Sequence, residues 1–349
     1  MRWRFIPILL AIAMLSVLFA GCVESEEGNY VYVAKLSPAG EMRAEMLSGD
    51  IDGFIAWEPY NAEVVVKGEG EYLIQSGEIW PDHPCCVLAV SDEVAKDEKL
   101  LTALLWAHVK ATRFINDPAN HEKVVQYAME FTGKDKEVVE EALKHIKFVE
   151  YPDEKEFRKY YERLKESGFL QNSIKDLGYA SEDGFFKDFL MRNAYDYVVE
   201  KLREDPSWIP DAPDREINMG HLTADLHELA WYVALKEGYF QQAGIKGNLE
   251  KQYANGPAVM EAFKSGELDV SYLGGAPATL KRINDDIRIH IVAGANNEGS
   301  AIVVKKGSEI KTIEDLKGRT IAIPGFGTVQ DFILRMALEE HNLEVRLKD

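Results

Sequence analysis

The sequence predicts an α/β protein of two similar lobes, with mostly parallel sheets and flanking helices. Three observations predict it. Beyond residue 215, short apolar runs alternate with helical periods, as in "EINMGHL", "DLHELAWYVALKEGYF", "LDVSYLGG" and "VQDFILRMALEEH". That alternation is the signature of βα units around parallel sheets. A phrase also occurs twice, as "MLSGDIDGFIAWEPY" at 46–60 and "AFKSGELDVSYLGGAP" at 262–277. In each copy a helix closes at glycine (Gly49, Gly266), a buried strand starts just past Asp52 or Asp269, and a proline turn follows. Between 97 and about 202, by contrast, the pattern is helical throughout.

The elements follow in order. Residues 1–21 carry Arg2 and Arg4, an apolar run from Phe5 to Phe19, then Ala20-Gly21 before Cys22. This is the layout of a secretory signal, too short for a membrane span. The small-small-Cys ending resembles a lipobox, although Phe19 stands where that pattern often has leucine. The expectation is lipidation at Cys22, with an uncleaved anchor as the alternative; either tethers the chain at the outer face of the membrane. Residues 22–29 form an acidic spacer. "YVYVAKL" alternates like a strand, and "PAGEMRAEMLSGD" reads as a helix ended by Gly49. "DGFIAW", "EYLIQ" and "CCVLAV" are further strands. Leu101, Leu104, Leu105 and Val109 form one helical stripe, Pro118 opens the next helix and Gly133 closes it. Asp135 starts another, and Asp153–Glu156 reads as a capping box for a helix ended by Gly168. Pro206, Pro210 and Pro213 make 206–215 the linker.

The chain of 349 residues is long enough for two domains. Its 46% apolar and 28% charged residues describe a globular protein, and its net charge of −19 excludes a basic nucleic-acid-binding face. A small anion is not excluded, because local dipoles rather than net charge hold it.

"GHLTADLHELAWYVALKEGYFQQAGI", "GELDVSYLGGAPATL" and "KTIEDLKGRTIAIPGFGTVQDFIL" resemble the opening half of the substrate-binding proteins of nitrate, sulfonate and taurine type ABC transporters. "SPAGEMRAEMLSGDIDGFIAWEPYNAEVV" and "LLTALLWAHVKATRFINDP" resemble the closing half of that family. The resemblance implies a type II periplasmic-binding fold, an ABC permease as partner and a small anionic solute. The halves stand in inverted order, so the chain reads as a circular permutant; a truncated tandem or a swapped dimer are the alternatives. The expected lobes are 91–205 with 216–298, and 299–349 with 30–90.

Ligands of such sheets bind beyond the carboxyl ends of the strands, which selects five loops. In the first, Thr223 offers a hydroxyl, Asp225 reads as a helix cap, and His227 is either packing or a ligand contact. In the second, Gly274 and Gly275 let backbone approach a ligand at a helix N-terminus. In the third, Asn296 and Asn297 are hydrogen-bonders or a hinge turn. In the fourth, Gly325, Gly327 and Thr328 open a helix whose first amides suit an anion, although Asp331 opposes one. In the fifth, Trp57 and Tyr60 offer an aromatic wall and Glu58 an acceptor, or all three are structural. "HPCC" places His83 near Cys85 and Cys86, but adjacent cysteines make poor tetrahedral partners and no fourth ligand is evident, so no metal is expected. Strand packing is the favoured reading of the pair, with a vicinal disulfide as the alternative.

No cofactor is implied. The chain has no G-x-S-x-G, Walker or Cys-x-x-Cys sequence. Pyrimidine-forming enzymes of the same fold carry a cysteine-rich cluster of which "HPCC" is too little. The expected function is solute capture for an importer, with a tethered ligand sensor, and behind it a thiamine-pyrimidine-related binder or enzyme on the same fold, as the other readings.

Overall fold

The repeated phrase builds the same clamp in two sheets. The computed structural model of the protein describes residues 28–36 and 39–348; the leader and Cys22 lie outside them. The strands in chain order are β1 (Tyr30–Lys35), β2 (Gly53–Trp57), β3 (Gly70–Gln75), β4 (Cys86–Ser91), β5 (Ile146–Phe148), β6 (Ile217–Leu222) and β7 (Gly247–Tyr253). They continue with β8 (Val270–Gly274), β9 (Ile289–Gly294), β10 (Asn296–Glu298), β11 (Ser300–Lys305), β12 (Thr320–Ile323) and β13 (Glu344–Leu347). One sheet has the order β13-β1-β12-β2-β11-β3, the other β7-β6-β8-β4-β9, and β10 pairs with β5 in a short ribbon.

Both large sheets are parallel except around one strand. β13, β1, β12 and β2 run parallel, and β11 is antiparallel to β2 and β3. β7, β6 and β8 run parallel, and β4 is antiparallel to β8 and β9. β11 and β4 are the strands that enter each sheet from the other lobe, through 295–299 and 76–85. Sequence grouped β4 with residues 30–90; its pairing with β8 and β9 places it in the other lobe and ends the first segment near residue 85.

The glycines of the repeat cap their helices in the left-handed region, Gly49 at φ 93° after Glu41–Ser48 and Gly266 at φ 73° beyond Gly256–Lys264. Only glycine takes that conformation without a Cβ penalty. The aspartates of the repeat do matching work. Asp52 accepts from the Thr320 amide at 2.8 Å through its side chain while its own amide donates to the Thr320 carbonyl at 2.9 Å. Asp269 treats Asn218 the same way, at 2.8 and 2.9 Å. Each aspartate thus sets the register of a neighbouring parallel strand where the ladder begins. Arg319 and Arg215 pair with the respective carboxylates.

The helical middle of the chain covers the five-stranded sheet. Helix Glu98–Asn116 buries Leu101, Leu104, Leu105 and Val109 as its sequence stripe predicts. Pro118 opens a short 3-10 turn before helix His121–Thr132, which ends at Gly133 with φ 67°. The proline-rich stretch 206–215 is fastened to this lobe and does not hang free. Trp106 Nε1 donates to the Trp208 carbonyl at 2.7 Å, and Lys99 pairs with Asp214 at 3.0 Å. No helix among the described residues is long and apolar enough to cross a membrane.

Candidate functional site

The two sheets meet where the carboxyl ends of β2, β6, β8 and β12 converge. Backbone and side chains cross the junction directly. The Leu226 amide donates to the Glu58 carbonyl at 3.1 Å, and the Glu58 amide to the Gly299 carbonyl at 3.0 Å. Tyr60 Oη donates to the Thr223 carbonyl at 3.3 Å. A Cβ on Gly274 would stand 3.0 Å from Val329 Cγ2, and one on Gly327 2.5 Å from Leu280 Cδ2. Glycine at both positions lets the loops of opposite lobes close on each other. Surface grooves lie elsewhere, one of them between helix Glu154–Glu166 and helix Val329–Glu340, lined by Arg163, Phe169, Arg335 and Met336. None of the residues selected from sequence lines them, and strand-end convergence is the stronger indicator of the site.

Trp57 and Glu58 end β2 inside this junction. Trp57 is buried, sets its ring edge-on to Tyr60 at 6.0 Å, and its Nε1 has no hydrogen-bond partner among the described residues. Glu58 is 0% exposed. Its Oε2 accepts from the Ala62 amide at 2.9 Å, capping helix Tyr60–Val66, while Oε1 has no partner among the described residues. Burial pushes the carboxyl up from its ordinary 4.5 to about 8, the Ala62 bond offsetting only part of the effect. At neutral pH Glu58 therefore carries a proton, and the Tyr72 hydroxyl, itself without a closer partner among the described residues, is the polar group that interacts with this carboxyl.

Other selected residues have their polar groups committed. The Gly275 amide donates to the Cys85 carbonyl at 2.7 Å, and a Cβ there would press on Phe157; its role is helix packing, and its amide is not open to a ligand. Asn296 and Asn297 lie in β10 and not in a loop. Asn296 Oδ1 accepts from the Cys86 amide at 3.0 Å and its Nδ2 donates to the Glu298 carbonyl at 2.9 Å, so it braces the crossing segment. Asn297 Oδ1 is buried without a partner among the described residues. The Gly327 amide donates to Asp331 Oδ2 at 2.8 Å, and Asp331 Oδ1 holds Arg335 at 2.8 Å. The chain's own carboxylate thus occupies the turn where an anion was expected. Thr328 caps the helix by accepting from the Asp331 amide at 3.3 Å. Gly325 is buried, with Asn255 Nδ2 and Lys35 Cε 4.0 Å from where its Cβ would be. Thr223 is exposed at the rim, its hydroxyl on the Tyr253 carbonyl at 3.4 Å.

Sequence reasoning passed over a deeper cluster. Asp225 caps as expected, accepting from the His227 amide at 2.9 Å. His227 is 0% exposed, and its Nδ1 faces Cys85 Sγ at 3.4 Å and Cys86 Sγ at 3.9 Å. Its Nε2 meets the Gly299 carbonyl at 2.8 Å. Both cysteines are free and buried. Burial opposes charge on Cys85, but its bond to Cys86 and the charge of His227 outweigh that and hold it well below its ordinary value. Burial likewise opposes charge on His227, yet Cys85 and Asp225 push it up to about 10. Glu228, fully buried, accepts from the Leu222 amide at 2.6 Å through Oε2, while Oε1 has no partner among the described residues. The signal in the sequence was "DLHE" and "HPCC" together; their separation by some 140 residues hid it.

Comparison with known proteins follows the same two segments. Residues 23–129 match the model described as NMT1-like family, and residues 227–346 the model described as NMT1/THI5 like. The nitrate/nitrite binding protein NrtA of Synechococcus elongatus is 36% identical over 100 residues, which are 28% of this chain and 22% of that protein. The NrtA of a Nostoc species is 26% identical over 137 residues, 38% of this chain and 30% of that protein. The bicarbonate transport ATP-binding protein CmpC of a Synechocystis species is 33% identical over 93 residues, 26% of this chain and 14% of that protein. The chain thus spans less than a third of the length of each of these relatives.

Proposed function

The chain belongs to the NMT1-like family of substrate-binding proteins of nitrate/sulfonate type ABC transporters, and on that premise we propose that it captures a small oxyanion between its lobes for an ABC importer. The observation that carries the reading is the buried indole N–H of Trp57, unpartnered among the described residues and followed in the chain by the protonated carboxyl of Glu58. Two neutral donors at a lobe junction suit an oxyanion, since they bind it without a counter-charge to desolvate. The net charge of −19 sets no obstacle when the acid nearest the site is neutral. Thr223 would complete the cleft at its rim, while the turn after Gly325 is already filled by the Asp331 carboxylate. Closure on solute, favoured over the solute-free state, would be the signal a permease reads. Nitrate, bicarbonate and simple sulfonates are the candidates, the first two from the relatives' names. The chain would act outside the cytoplasm, tethered through a lipid on Cys22.

The inverted order of the halves is read as a circular permutation closed within one chain. Each large sheet draws strands from both halves of the sequence, which supports that reading. The test is thermal unfolding of the full chain, with its mass in solution, against nitrate, bicarbonate, taurine, alkanesulfonates and an aminopyrimidine. A solute at a hundred times its Kd adds about 2.7 kcal/mol. A shift with one oxyanion in a monomer is the expected result. A shift with the aminopyrimidine alone overturns the solute class, and an obligate dimer overturns the closed permutant.

A further inference from the structure

The geometry points to a site for a thiophilic divalent cation of the zinc type, held by the thiolates of Cys85 and Cys86 and Nδ1 of His227. Zinc–sulfur bonds of about 2.3 Å and zinc–nitrogen bonds of about 2.0 Å give a tetrahedron whose S–N edge is roughly 3.6 Å. The observed edges are 3.4 Å from Nδ1 to Cys85 and 3.9 Å to Cys86. Asp225 Oδ1 stands 3.6 Å from the same nitrogen. Cys85, Cys86 and His227 therefore bring three donors within 4.8 Å of one another, while Asp225 is grouped with Cys86 and Glu228 beside them.

The surrounding groups orient the imidazole for this role. With Nε2 donating to the Gly299 carbonyl, His227 turns Nδ1 to the two sulfurs, and loss of the Nδ1 proton on metal binding would give the outer-shell arrangement that metal-binding histidines use. Gly299 has φ 86°, and a Cβ there would collide with His227 Nε2. The position admits glycine and seats the ring. Adjacent cysteines on a strand point to opposite faces, which is why the pair looked unsuitable in sequence. Cys85, however, precedes β4 and lies in the crossing segment, so both sulfurs reach the same nitrogen.

A second observation is independent of these distances. Among the described residues no lysine or arginine pairs with Asp225 or Glu228, and both are fully buried, with Glu228 Oε1 unpartnered. Glu228, Asp225 and Cys86 also bring their ligand atoms within 4.8 Å of one another. Burial pushes both carboxyls up; buried polar groups are normally partnered, and a divalent cation beside them would favour their charged forms. On binding, the Cys86 thiol and the His227 imidazolium would release their protons to solvent, the Cys85 thiol being already held well below its ordinary value. The cation would sit where both lobe crossings pass, at Cys85 and at Gly299, and fasten them to each other.

The experiment uses the full chain, reduced, stripped with chelator and free of solute, titrated with Zn2+ and with Co2+. One ion per chain is expected, with thiolate-to-metal charge-transfer absorption in the Co2+ form and protection of both thiols from a maleimide. Cys85→Ser, Cys86→Ser and His227→Gln should each lower Zn2+ affinity by more than about a hundredfold, beyond the 10- to 100-fold typical of outer-shell residues. Gly299→Ala, which only unseats the ring, should fall within that smaller range. Where a cysteine variant fails to fold, the Co2+ spectrum and maleimide protection of the unsubstituted chain decide the matter. Sub-stoichiometric binding, a Co2+ spectrum without thiolate absorption, or undiminished affinity in folded Cys85→Ser/Cys86→Ser protein overturns the site. None of these readouts depends on the identity of the transported solute.

Discussion

Replacing Glu58 with glutamine removes one titrating group while preserving the shape of the junction. Glutamine keeps an oxygen to accept from the Ala62 amide and places an amide where the protonated oxygen stood. The folded carboxyl titrates near 8 against an ordinary value of 4.5. A raised carboxyl favours the folded state fully below pH 4.5, and that contribution is lost as pH rises toward and through 8. The loss approaches about 1.4 kcal/mol per pH unit inside the window. Between pH 5 and 7.5 the unsubstituted protein should therefore lose about 3 kcal/mol more than Glu58→Gln, as an upper bound. At about 2.1 cal/mol/K of unfolding entropy per residue, that is roughly 4 °C of differential Tm for a chain of this length. Thermal melts of both solute-free proteins at half-unit pH steps measure it. Parallel Tm curves across the window would refute a neutral Glu58 and remove one of the two donors from the proposed oxyanion site.

Trp57→Phe removes the unpartnered indole N–H; the solute-free protein should be no less stable, while the affinity for the solute found falls about tenfold, or about 1.4 kcal/mol, by calorimetric titration. Asp52→Ala and Asp269→Ala each leave a strand amide without its carboxylate, and each should cost about 1.5–3 kcal/mol in urea unfolding; near-equal losses are expected because the two clamps match. Gly327→Ala forces a side chain into φ 73° against Leu280 and should cost at least about 1–2 kcal/mol as well as loosening lobe closure. Gly325→Ala has no such φ and should unfold within about 0.5 kcal/mol of the parent, so it separates loop chemistry from backbone strain.

The residues that succeeded as sequence signals are those whose job is local. Gly49 and Gly266 end helices, Pro118 starts one, and Asp225 and Thr328 cap their own first turns. Each involves partners within a few residues, so periodicity and turn chemistry sufficed to place them. The twofold phrase likewise disclosed two like lobes, because identical strand-end clamps need the same short string of residues. Where side chains had long-range choices, local reading failed. Gly275, selected as an open amide, is taken by the carbonyl of Cys85 in the crossing segment before β4; Asn296, expected in a loop, braces a ribbon.

By itself the sequence determined the α/β class, the helix ends, the lobes' kinship and the strand ends from which a ligand site is built. Tertiary structure alone decided which lobe owns β4, which amides stay open, and that "HPCC" meets "DLHE". The physical reason lies in burial. A cysteine, a histidine or a glutamate has an ordinary titration and ordinary partners until folding strips its water, and what replaces that water comes from chain segments far away in sequence. At Glu58 it is the lobe junction that keeps the proton on, and at His227 it is two thiols and a carbonyl contributed by both crossing segments.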